Sequence, residues 1–205
     1  MNTVLTVRLA LIMTCLSVFS CSTPTRYYML DTLNMRNAPI QEPVNMEAKI
    51  IGLEPIKLPT YVDQIRIMRR TGSNTLAISP HDQWNEPLDT GVRRVIASNL
   101  THLLPNTQVE YAPVPRNIHP DYGLAIEISR FDATADGAVL LEGEWSLIDT
   151  EGPGADKHQS FRFRVPSQGN THADIAANMS NALTTLARDI AKALATGYRG
   201  SGRQL

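Results

Sequence analysis

Leu124-Ala125-Ile126-Glu127-Ile128-Ser129 and Val139-Leu140-Leu141-Glu142-Gly143-Glu144-Trp145-Ser146-Leu147 decide the fold. Leu124, Ile126 and Ile128 in the first stretch, and Val139, Leu141, Gly143, Trp145 and Leu147 in the second, alternate with small, acidic or hydroxylic residues, Leu140 excepted. A period of two is the pleat of a strand with one face in a core and the other in water. Between the two stretches Asp136-Gly137 supplies turn chemistry, so they read as an antiparallel hairpin. Gln159 to Val165 places Phe161, Phe163 and Val165 on one face and Ser160, Arg162 and Arg164 on the other, extending the pair to a meander with one polar face.

An apolar sheet face needs a cover, and two segments have the helical period. From Leu88, the residues Val92, Val95, Ile96, Leu100, Leu103 and Leu104 form a stripe that Pro105 ends. From His172 to Ala195, the stripe is Ile175, Met179, Leu183, Leu186, Ile190 and Leu194, among alanines that favour helix. Ser79-Pro80-His81-Asp82 has a capping serine, a proline at the first helical position and an acidic residue at the third, which predicts that the first helix opens at Ser79 and is kinked at Pro87.

Working outward, Tyr27 to Leu30, Ala48 to Pro55 and Thr107 to Tyr111 read as strands. Ile65 to Arg70 and Leu76 to Ser79 flank Thr71-Gly72-Ser73-Asn74-Thr75 as a second hairpin, with Ile65, Ile67 and Ile78 facing inward. Thr32 to Glu47 and Ala112 to Tyr122 are aperiodic and proline-bearing, hence loops. The predicted fold is mixed α/β in a single domain, a largely antiparallel sheet with two long helices packed on one face.

Ahead of this domain Arg8 precedes an apolar run from Leu9 that ends at Ser20-Cys21, the layout of a secretory leader and shorter than the roughly 20 residues of a spanning helix. Val18-Phe19-Ser20-Cys21 resembles the bacterial lipoprotein box, in which the thiol accepts a diacylglycerol; Phe19 is bulkier than usual there. Cys15 is the rival, but too little apolar chain precedes it. The expected organisation is a signal peptide over 1–20, an acylated Cys21 with a tether to residue 26, a domain over 27–197 and a disordered tail over 198–205. Ser22, rather than the Asp that retains such proteins at the inner membrane of enterobacteria, points to the periplasmic face of an outer membrane.

Lys and Arg total 19 against 20 Asp and Glu in 205 residues, and removal of the leader takes only Arg8, so no overall basicity argues for nucleic acid. Both cysteines, Cys15 and Cys21, fall at the leader, which leaves the domain no thiol for a disulfide or a metal. His81, His102, His119, His158 and His172 have no ligand spacing, and neither a metal nor another cofactor is expected. Asp89-Thr90-Gly91 copies the tripeptide of aspartic proteases, but it opens a helix and occurs once, whereas that chemistry needs two carboxylates sharing a proton. Glu142 and Glu144 share a strand face that alternation already explains. The reading is of a protein that is not an enzyme.

Taken together, the lipobox, Tyr27-Tyr28-Met29-Leu30-Asp31, Gly52-Leu53 to Leu58-Pro59-Thr60-Tyr61, Thr71-Gly72-Ser73-Asn74 and Trp84-Asn85-Glu86-Pro87-Leu88 before the helix reaching Asn99-Leu100 resemble the PqiC/YmbA-type ABC-transport auxiliary lipoproteins. The resemblance implies a mixed α/β domain on the outer membrane, working beside a periplasmic mammalian-cell-entry (MCE) protein and inner-membrane transporter components to move lipids or other hydrophobic molecules and support envelope integrity. A homo-oligomeric ring is a natural receptor for a tube-shaped partner. Arg66, Arg69 and Arg70, with Tyr61 and Trp84 as aromatic anchors, are the candidate partner surface; the competing readings are solvated hairpin charge for the arginines and packing of Trp84 at the entrance of the helix. The alternatives are a monomeric lipoprotein that binds a lipid or small ligand without a transport partner, and a hydrolase built on Asp89.

Overall fold

A computed structural model describes residues 23–33, 49–150 and 156–197; the leader, Cys21, most of the 32–47 loop and the 198–205 tail lie outside the described residues. In chain order the elements are β1 (Arg26–Tyr28), β2 (Lys49–Leu53), β3 (Arg66–Gly72), β4 (Thr75–Trp84), α1 (Leu88–Leu103), β5 (Thr107–Tyr111), β6 (Tyr122–Ala133), β7 (Val139–Asp149), β8 (Lys157–Val165) and α2 (His172–Gly197). No helix among the described residues is long and apolar enough to cross a membrane.

The long strand β6 is the spine of the sheet. Along one edge it pairs antiparallel with β7, which pairs antiparallel with β8, as the alternating pattern predicts. Its other edge is shared by β2, with Ile51 to Leu53 against Tyr122 to Leu124, and by β3, with Arg69 against Ala133; both are parallel to it. β5 lies parallel beyond β2, while β4 lies antiparallel beyond β3 and carries β1 parallel on its far side. The sheet is therefore mixed, and the expectation of a largely antiparallel one is corrected. Periodicity sets which face of a strand is buried, but it says nothing of which neighbour the strand meets when the connections are long.

Both helices lie over one face. Asn99 Nδ2 of α1 donates to Thr184 Oγ1 of α2 at 3.2 Å, and α2 crosses β6, β7 and β8. Val92, Val95, Ile96 and Leu100 from α1 and Ile175, Leu183, Leu186 and Ile190 from α2 are buried with Leu124, Ile126, Ile128, Leu141 and Trp145 from the sheet. A bulge in β6 between Ile128 and Arg130 changes the inward set from Leu124, Ile126 and Ile128 to Phe131 and Ala133. Gly143 lies opposite Ile128 at that bulge, where an added Cβ would collide with Glu127 O and would lie 2.9 Å from Ile128 Cα.

The predicted helix start at Ser79 is wrong. Residues 79–84 belong to β4, and α1 begins at Leu88, with Pro87 as its N-cap. The capping geometry nonetheless forms: Asp82 N donates to Ser79 Oγ at 3.1 Å and Ser79 Oγ donates to Asp82 Oδ2 at 2.6 Å. It folds a bulge instead of a helix, since β4 runs five residues from Ile78 to Gln83 while β3 runs two from Arg66 to Met68. A proline is tolerated at such a bulge because the ladder is already interrupted there. Ile78 pairs with Met68, on the face opposite Ile67, and is 56 % exposed, and Ile65 ahead of β3 is 63 % exposed, so only Ile67 of the predicted inward trio is buried.

Candidate functional site

The strand closest to Cys21 is fixed to the domain by one buried carboxylate. Asp82 accepts from Arg26 Nε at 2.8 Å, from Tyr28 OH at 2.9 Å and from Ser79 Oγ, and His172 Nδ1 at the start of α2 lies 3.0 Å from it. Burial pushes its pKa up, but the hydrogen bonds from Ser79, Tyr28 and Arg26 and the field of His172 outweigh that and leave it at about 2. At neutral pH the carboxylate is charged, and it ties β1, β4 and α2 together.

The structure divides the predicted contact surface. Trp84 is 4 % exposed and packs in the core, so it offers no face to a partner; it is the register partner of Tyr28 across β1 and β4. Tyr61 is half-buried, with its hydroxyl donating to Asp132 Oδ2 at 2.9 Å. Arg69 Nη1 donates to Asn170 Oδ1 at 2.6 Å, while Arg66, beside Gln83 at the other end of β3, is exposed. Arg70 turns to Asp132, where Nη2 meets Oδ2 at 3.0 Å.

Asp132, 2 % exposed, is a second collecting point that sequence reading missed. Besides Tyr61 and Arg70 it receives Arg130, whose Nη2 lies 3.0 Å from Oδ1. Burial raises its pKa, and the hydrogen bonds from Arg70, Arg130 and Tyr61 overcome this and hold it below the usual carboxylate range. Tyr61 is shifted up, by burial first and then by its bond to Asp132. Sequence reading missed it because its partners Tyr61 and Arg70 lie 71 and 62 residues away in the chain, and because the β6 bulge turns Asp132 to the face opposite Phe131 and Ala133.

Comparison with known proteins settles the family. The family described as "ABC-type transport auxiliary lipoprotein component" has a model that matches residues 28–191. This chain belongs to that family. As an auxiliary lipoprotein it is 24 % identical over 121 residues to the intermembrane transport lipoprotein PqiC of Escherichia coli strain K12, and equally to PqiC of Shigella flexneri. Those matches cover 59 % of this chain and 62 % of each relative, so less than two thirds of the relatives' length is spanned. A solved structure described only as an uncharacterized protein is similar in fold, with a TM-score of 0.69 at 19 % identity over 84 % of this chain and 99 % of that one. Protein XCC0632 of Xanthomonas campestris follows with a TM-score of 0.66 at 17 % identity, over 87 % and 97 %.

In this auxiliary lipoprotein Asp89 opens α1, and its carboxylate accepts from the amide and hydroxyl of Thr90. It borders a cleft of about 320 Å³ with Pro55, Ile56, Thr90, Arg93, Arg94 and Tyr111. Arg93 is turned away from Asp89: Nη2 caps the carbonyls of Leu53 and Ala112, and the guanidinium lies 4.8 Å from the centre of the Tyr111 ring. Glu144 lies 3.2 Å from His158 and Glu142 pairs with Arg162 at 2.9 Å, so each carboxylate of the outer strand face has its own neighbour on β8.

Proposed function

We propose that this protein is the outer-membrane docking subunit of an MCE-type ABC transport system, held to the periplasmic face by acyl chains on Cys21 and acting without enzymatic chemistry of its own. The observation that carries this reading is the family match over residues 28–191, on a domain whose first strand opens at Arg26, five residues after Cys21. Five residues reach at most about 18 Å, so an anchored domain stays against the bilayer. The clamp on Asp82 supports the same reading, since it makes the start of β1 part of the folded body and transmits the position of the anchor to the sheet.

The role that follows is to receive a periplasmic MCE partner at the membrane surface and hold its distal end there while lipid or another hydrophobic molecule passes. Two acyl chains, at about 0.8 kcal/mol per buried methylene, make the attachment stable. A direct test is membrane fractionation with intact mass analysis of the N-terminal peptide. Recovery in the outer-membrane fraction with a diacylglycerol on Cys21 supports the reading; an unmodified thiol, or an inner-membrane location, rejects the placement. The apolar-walled cleft by Tyr111 favours a second reading, a direct ligand binder, which requires a small molecule retained by the purified protein.

A further inference from the structure

Between the β3–β4 and β6–β7 hairpin turns lies an open cleft of about 430 Å³ lined by Arg70, Gly72, Ser73, Arg130 and Ala135. Its two guanidiniums are both held by the one buried carboxylate of Asp132, which fixes them without neutralising both. Arg70 uses Nε and Nη2 on Asp132, and Nη1 donates to Ser73 O at 3.0 Å, folding the turn over the guanidinium. Arg130 uses Nε and Nη2 on Asp132, and its Nη1 makes no hydrogen bond among the described residues; Glu142 Oε1 is 4.0 Å away. That Glu142 oxygen is already taken by Arg162 at 2.9 Å, and Asp136 on the neighbouring turn is taken by Arg164 at 2.8 Å. Three arginines, Arg70, Arg130 and Arg162, thus share two carboxylates, and one positive charge stands over at the cleft.

Oriented guanidinium forks with spare donors recognise tetrahedral oxyanions by paired N–H···O bonds, and phosphate is their commonest match. We infer that this cleft binds a phosphate group, presented by a phospholipid headgroup. The direction of β1 selects that source. Because β1 runs parallel to β4 with Arg26 opposite Asp82, the chain before Arg26 leaves toward the end of the sheet where β4 begins at Thr75. The β3–β4 turn is at that end, and because β3 and β6 are parallel at Arg69 and Ala133, so is the β6–β7 turn. The described chain ahead of β1 therefore runs toward the end of the domain that holds the cleft. This choice of source rests on the proposed acylation of Cys21, while phosphate binding itself does not.

The test uses the full chain in a non-ionic maltoside micelle, titrated with dihexanoyl phosphatidylglycerol or with inorganic phosphate and followed by calorimetry. Intact mass of the same preparation reports the acyl state of Cys21, so failure of the anchor reading is seen separately. Saturable binding of the short-chain lipid is expected, weakened at least tenfold by Arg130→Gln. Ala135→Glu, at an exposed position on the cleft rim, gives the same loss without touching Asp132, whereas Arg116→Gln, on a distant exposed loop, changes affinity less than twofold. Binding of inorganic phosphate alone, with the same dependence on Arg130 and Ala135, overturns the headgroup as source. Absence of binding to either probe at millimolar concentration, or binding indifferent to both cleft variants, overturns the site.

Discussion

Arg26 Nε lies 2.8 Å from Asp82 Oδ1, joining a side chain that is 62 % exposed to one that is 4 % exposed. The pair crosses from β1 to β4, so the first ordered strand after Cys21 is held by an ionic contact whose acidic half is inside the protein. Tyr28 and Ser79 complete the hydrogen bonding of Asp82, which is what makes its burial tolerable.

This arrangement sets a pH dependence. The folded pKa of Asp82, about 2, is below the ordinary carboxylate value of 3.8, so the folded state binds its proton less readily than the unfolded chain. The stability it contributes is fully present above about pH 4 and is lost as pH falls toward 2. In urea unfolding of the wild type, the decline of the midpoint across that window should be steeper than in Asp82→Asn, and the substitution should lower stability at pH 7 by about 2 kcal/mol. Equal pH slopes in the two proteins contradict the assignment.

Gly143 and Gly123 both sit in the β6–β7 ladder but differ in surroundings. An added Cβ at Gly143 meets the backbone of Glu127 and Ile128, while at Gly123 nothing lies within 4 Å. Gly143→Ala should therefore destabilise by about 2 kcal/mol or more, and Gly123→Ala should stay within about 0.5 kcal/mol. Thermal melts of the two variants side by side decide it; equal effects show that the strands do not approach as closely as described.

The arginines of β3 should separate in the same way. Arg66→Glu alters an exposed residue and leaves stability within about 0.5 kcal/mol, so any loss of partner recovery it causes reports contact. Arg70→Glu removes a partner of buried Asp132 and adds a like charge, which should lower stability by more than about 2 kcal/mol. Denaturant midpoints measured before any partner assay keep the two effects apart, and an unaffected Arg70→Glu protein rules out the Asp132 cluster as a structural element.

The meander and the helix stripes were legible because each obeys a single period over many residues. Leu124, Ile126 and Ile128 alternate, Val92, Val95 and Ile96 recur at three and one, and all are buried as their patterns require. Ser79-Pro80-His81-Asp82 misled because a local hydrogen-bond box is compatible with two backbones, and pairing with β1 selected the strand. Asp132 was hidden because its partners Tyr61 and Arg70 lie 71 and 62 residues away in sequence, and Asp82 because its own lie 56 residues away at Arg26 and on α2 at His172. The candidate arginines were visible as a cluster, yet alternation along β3 and the curl of its hairpin send them to different neighbours, Arg69 to Asn170 and Arg70 to Asp132.

The central claim, that this auxiliary lipoprotein docks a transport system at the membrane, is tested most directly by purifying the full-length acylated chain from native membranes in mild detergent. Copurifying proteins are identified by mass spectrometry, with Cys21→Ala as the control. An MCE-domain protein is expected together with transporter subunits in a defined ratio, reduced when the anchor is removed. Recovery of the chain alone, or with only a bound lipid, contradicts docking and leaves the direct binder as the function.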